Sequence, residues 1–90
     1  MLKEQLKQEL NSRGWKEDRY GHHQRTLKVT NRETGEVTDR KYRVKIQATS
    51  VRVEVKPDDF NQWIKVDGAY FKDIKITENG SIQIGRKQLK

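Results

Sequence analysis

The alternation Arg40-Lys41-Tyr42-Arg43-Val44-Lys45 is the segment of this chain best suited to chemistry. As a strand it carries Lys41, Arg43 and Lys45 on one side and Tyr42, Val44 and Ile46 on the other. Side chains two residues apart in a strand stand about 6.5–7 Å from each other, near the spacing of successive phosphates on a single nucleic-acid strand. Lys28 on a preceding strand and Arg52 with Lys56 on a following one broaden this stripe if the register brings them alongside, while Glu54 interrupts it. The expected chemistry is contact with phosphates through Lys28, Lys41, Arg43, Lys45 and Arg52. The plainer alternative is a solvated face whose charges keep a small sheet soluble and its edges unpaired.

Other reactive groups are sparse. His22-His23 is the only histidine cluster; adjacent histidines on extended chain point to opposite faces, and Glu17 and Asp18 stand at no recognised metal spacing from them. One of them beside Arg19 or Lys28 would be a general acid or base for RNA cleavage. Asp58-Asp59 is an adjacent carboxylate pair, but adjacency does not make two carboxylates converge; Asp58 has a sufficient role as a helix cap beside Pro57. With no cysteine, disulfides, thiolate metal sites and cysteine nucleophiles are excluded. No Gly-rich phosphate loop and no Gly-x-Ser-x-Gly sequence occurs, so no cofactor or metal is expected.

These residues must be held by a small body. The 90 residues fit one domain spanning 1–90, with a thin core at this length. Patterned Val and Ile runs, two Trp, three Tyr and two Phe argue for folding despite 37% charged residues. The net charge of +7 is uneven: residues 1–23 contribute +1, 24–56 contribute +5 and 57–90 contribute +1. Such an excess favours anionic partners. The opening residues alternate Leu with Lys, Glu and Gln, unlike a signal peptide or a membrane span, so the cytoplasm is the expected location and no membrane partner is expected.

Leu2, Leu6 and Leu10 recur every four residues and predict a helix over 2–13, closed by Gly14, with Trp15 anchoring the exit in the core. A short strand over 15–20 and a turn at Gly21-His22-His23 follow. Period-two patterns then predict strands over 24–30, 40–46 and 51–56 as an antiparallel meander, the first two joined through the turn formers at 31–36. After Pro57 a turn of helix begun by Asp58 is expected. Asp67-Gly68 predicts a tight type I′ hairpin between 64–66 and 69–71, and Asn79-Gly80 a second one that shares an isoleucine face between Ile74/Ile76 and Ile82/Ile84. The tail after Gly85 is expected to fray. Trp15, Tyr42, Phe60, Trp63 and Phe71 are assigned to the interior; Tyr20 and Tyr70, beside turns, are the candidates for exposure, with core or rim packing the expectation for each.

The helix followed by Gly14-Trp15, Asp18-Arg19, Gly21, His22-His23 and Gln24 resembles the opening of HicA-type toxins, small ribonucleases with a double-stranded-RNA-binding-like fold. The resemblance covers residues 2–24. It implies that His22 or His23 is catalytic, although the family carries Gly-Ser-His where this chain has Gly21-His22. It also implies a closing helix after three strands, where this sequence continues with strand-like segments.

The sequence therefore predicts an α+β fold with an N-terminal amphipathic helix packed on a mainly antiparallel sheet of about five or six short strands. The expected function is binding without catalysis. A nucleic-acid-binding accessory factor, for DNA or RNA, stands first. Next comes a protein-interaction module that docks an acidic surface or pairs through an edge strand, and a HicA-like ribonuclease is third.

Overall fold

The computed structural model describes residues 1–57 and 60–90. Helix α1 covers Lys3–Ser12 and buries Leu6 and Leu10 completely. Its end follows from Gly14. At φ +87 this glycine adopts the left-handed conformation, so its N–H reaches the Asn11 carbonyl and the Trp15 N–H reaches Leu10 at 3.0 Å. That pair of hydrogen bonds closes the last turn and brings buried Trp15 against the leucine stripe. The stripe holds two leucines rather than three. Leu2 is extended and exposed, because the Met1 ammonium donates to the carbonyls of Phe71, at 2.7 Å, and Ile74 and turns the chain before the helix starts.

Strands β1 (Lys16–Glu17), β2 (His23–Thr30), β3 (Val37–Ile46), β4 (Ser50–Lys56) and β5 (Ile64–Tyr70) form one antiparallel sheet in that order. Val, Ile, Thr and Tyr dominate the segments with the regular alternation, as a half-buried pleated surface favours. The β2–β3 turn is built on Asn31, whose side chain accepts the Glu33 N–H while its backbone N–H reaches the Glu36 carbonyl. A second, three-stranded antiparallel sheet joins β6 (Lys75–Ile76), β7 (Ile82–Ile84) and β8 (Lys87–Leu89). One core cluster unites Leu6, Leu10 and Trp15 with Tyr42, Val44, Ile46, Val51 and Val53 of the large sheet and Ile74, Ile82, Ile84 and Leu89 of the small one. This is the α+β architecture the sequence predicts, with helix and small sheet sharing one face of the large sheet. No described helix is long and apolar enough to cross a membrane.

Three local expectations are corrected. Asp67-Gly68 is not a hairpin: residues 64–70 are one strand paired with β4, and Gly68 is not at positive φ. Pairing along the whole of β4 satisfies more backbone groups than a three-residue hairpin would. The aspartate is occupied otherwise, accepting the N–H groups of Gly68 and Arg86 at 2.8 Å each. The tail does not fray, since β8 completes the small sheet and buries Leu89. Ile76 stands at the rim, 41% exposed, so the isoleucine face comprises Ile74, Ile82 and Ile84. The closing helix implied by the toxin resemblance has no counterpart among the described residues, where strands continue to Leu89. The helical turn expected at Asp58 and Asp59 lies outside the described residues.

Candidate nucleic-acid interface

Register decides whether the basic residues meet. Across β2 and β3, Gln24 stands opposite Arg43, Thr26 opposite Lys41 and Lys28 opposite Asp39. Across β3 and β4, Lys41 faces Lys56, Arg43 faces Glu54 and Lys45 faces Arg52. Directly opposed residues of an antiparallel pair point to the same side, so Lys28, Lys41, Arg43, Lys45 and Arg52 all lie on the face turned away from the core. Lys16 joins them opposite Gln24, and Lys65 opposite Glu54. With Lys56, eight cationic side chains of the described residues share this face with the carboxylates of Asp39 and Glu54, and Asp18 reaches it by accepting from the Gln24 side chain at 2.9 Å.

Their circumstances differ. Arg43 is held: its Nε and Nη2 donate to one oxygen of Glu54 at 2.8 and 2.6 Å, and its guanidinium lies 4.5 Å from the ring centre of Trp63. Glu54 is only 5% exposed, so it needs this partner. Lys28 and Asp39 approach to 3.9 Å with both side chains largely in water, a pair of small consequence. For Lys41, Lys45, Arg52, Lys56, Lys16 and Lys65, the described residues provide no carboxylate within ion-pairing distance. The Arg52 Nε–H is shut off from solvent without an acceptor among them. Lys41–Lys56 and Lys45–Arg52 therefore stand as two like-charge pairs flanking the neutralised Arg43–Glu54 pair.

The histidines part as adjacent strand residues must. His23 is completely buried against α1, with Nε2 3.1 Å from Asn11 Oδ1. It is a core residue rather than the exposed turn histidine the sequence suggested. His22 is half-buried, and its Nδ1 accepts the Ile46 N–H at 3.0 Å, which leaves the ring proton on Nε2. Burial lowers the pKa of both; for His22 the nearby Asp18 opposes this while Arg43 and Lys45 reinforce it. Asp18 is itself held below the usual carboxylate range: burial raises it, but bonds from the Gln24 side chain and the His22 and Tyr20 backbones outweigh that. Among the described residues no group of three His, Cys, Asp or Glu side chains is placed to hold a metal ion.

Sequence reasoning missed Lys16, Lys65 and the role of Trp63. β1 is too short to show a period, and Lys65 reaches this face only through an irregularity in β5. Trp63 and Phe60 were assigned to the interior, but Phe60 is 52% exposed and Trp63 packs on Arg43 at the surface of the basic face. Tyr20 and Tyr70, against the expected core or rim packing, are exposed. Comparison with protein-family models, with curated proteins and with solved structures gives no significant match.

Proposed function

We propose that the protein is a nucleic-acid-binding accessory factor that contacts phosphates through the exposed face of its five-stranded sheet and does no chemistry on them. The observation that supports this most is the juxtaposition of Lys41 with Lys56 and of Lys45 with Arg52 on the face opposite the core. Like charges directly opposed in a sheet are destabilising, by up to about 1 kcal/mol per pair. A phosphate placed between them turns that repulsion into charge-assisted hydrogen bonds. Lysines on a flat sheet meet phosphate oxygens as point charges, so backbone contact outweighs base readout. The cytoplasm is the proposed location, since a chain without cysteine needs no oxidising compartment.

The test is fluorescence anisotropy with short labelled DNA and RNA between about 50 and 200 mM salt. Affinity is expected to fall steeply over that range. Lys41→Glu combined with Lys45→Glu is expected to abolish binding, and Lys41→Ala combined with Lys45→Ala to reduce the salt slope by about two. Arg43 is left in place because removing it would strand Glu54. No salt-sensitive binding to any oligonucleotide at micromolar concentration would sink the proposal.

A protein partner is the second reading, favoured by one feature. β5 is an edge strand of the sheet, and Ile64 and Val66 on it, with Phe60 just before it, are 43, 45 and 52% exposed. An extended partner segment adding to that edge would cover them.

A further inference from the structure

Building on the phosphate-binding reading above, we propose that the groove at the β5 edge accepts one nucleotide of a single strand, its phosphate between Arg52 and Lys65 and its base on Tyr70. Strand β5 carries a bulge. Val53 stands opposite Asp67 while Glu54 stands opposite Lys65, so Val66 is an extra residue in β5. In an unbroken register Val66 would face Glu54, and Lys65 would face Val55 on the core side. The extra residue turns Lys65 onto the basic face, as bulges re-aim side chains.

Its place there is specific. Arg52 lies opposite Gly68, and the Lys65 Cε and Nζ lie 3.4 and 3.7 Å from where a Cβ on Gly68 would stand. That Cβ would also come within 3.0 Å of the Val51 carbonyl oxygen, so bare backbone floors the groove at this point. Two cations thus border a spot with no side chain of its own.

Tyr70 lines the same groove, two residues along β5 from Gly68 and so about 6.5–7 Å farther on the same face. It is 59% exposed. Asp73, in the turn that follows Tyr70, also lines the groove; its charge disfavours a phosphate at that end and leaves it to the base. Gln47 and Ser50 line the wall, with the Ser50 hydroxyl donating to Gln47 Oε1, which leaves the Gln47 amide N–H groups to meet polar edges. A nucleotide seated this way is unstacked from its neighbours. Duplex does not present a base for this without melting, so the groove selects single strands.

The experiment is anisotropy with one labelled oligonucleotide, single-stranded and as duplex, against the parent protein and the variants Tyr70→Ala, Tyr70→Trp and Lys65→Ala. The parent is expected to prefer the single strand. Tyr70→Ala should weaken single-strand binding about 5- to 150-fold and leave duplex binding within about twofold, and Tyr70→Trp should restore the preference. Lys65→Ala should lower the salt slope for single strands by about one. If the parent binds and Lys41→Glu/Lys45→Glu abolishes it, but Tyr70→Ala keeps the parent's single-strand affinity, this inference falls and the basic-face reading stands. If the parent binds neither form, both fall.

Discussion

The two faces of the five-stranded sheet are made from the same strands and treat charge in opposite ways. On one face α1 and the small sheet cover Val44 and Val53 so fully that neither is exposed, and the histidine on that side, His23, is tied to Asn11. On the other, the carboxylate of buried Glu54 and the guanidinium of Arg43, which lies against the Trp63 ring, are neutralised against each other. To either side of that spot, like charges face each other unpaired. The contrast shows how cover dictates pairing. A buried charge must find a partner because desolvation is costly, whereas water screens repulsion at an open surface well enough for it to persist. Persistent repulsion on an open face is what an anionic ligand relieves.

Several measurements would break or sharpen this contrast. The largest effect is expected on the covered face, where Leu10→Ala removes a buried side chain of the helix stripe and should lower unfolding free energy by about 2–5 kcal/mol in urea. A change below about 1 kcal/mol would mean the helix is not docked as described. At the covered spot of the open face, Glu54→Gln leaves Arg43 without its counter-charge and is expected to cost about 1–3 kcal/mol. An unaffected melt would show that water already serves Arg43.

The uncovered flanks should respond with the opposite sign. Lys41→Glu with Lys45→Glu places opposite charges across from Lys56 and Arg52, so stability should stay level or rise by about 0.2–1 kcal/mol per pair while nucleic-acid binding disappears. Loss of stability in that variant would place these lysines in the core accounting instead.

The adjacent histidines give a pH test of the same contrast. Burial lowers both pKa values below the ordinary 6.5, so just below that pH the unfolded chain binds more protons than the folded one. Their contribution is complete above 6.5 and is lost as pH falls through the folded values. A second loss follows below the ordinary carboxylate value of 3.8. There Asp67, held low by the Arg86 and Gly68 N–H groups, and Asp18 lose the advantage of ionisation. Melting temperatures measured downward from neutral pH should therefore decline before the loss from Asp67 and Asp18 sets in. A flat profile between neutrality and pH 5 would contradict the burial of His23.

Much of this was written locally in the chain. Leu6, Leu10, Gly14 and Trp15 specify a helix, its stop and its anchor within one stretch of sequence, because propensity, left-handed glycine and leucine spacing act over a few residues. The division of Tyr42, Val44 and Ile46 from Lys41, Arg43 and Lys45 was equally plain, since alternation is a property of a single strand. What the sequence left undecided depended on partners far along the chain. Asp67-Gly68 has the composition of a tight turn and yet lies in the middle of β5, because the free edge of β4 offers longer pairing. The tail from Lys87 to Leu89 became β8 for the same reason, with Ile82–Ile84 as its template. Lys65 was carried to the basic face by one extra residue, and a one-residue shift in register exchanges the two sides of a strand. Arg43 looked like its neighbours Lys41 and Lys45 and was set apart only by what lay across from it and above it, Glu54 and Trp63. Side-chain direction is settled by the residue's own strand, but whether a charge is neutralised or left open is settled by register and cover, and those exist only once distant segments have met.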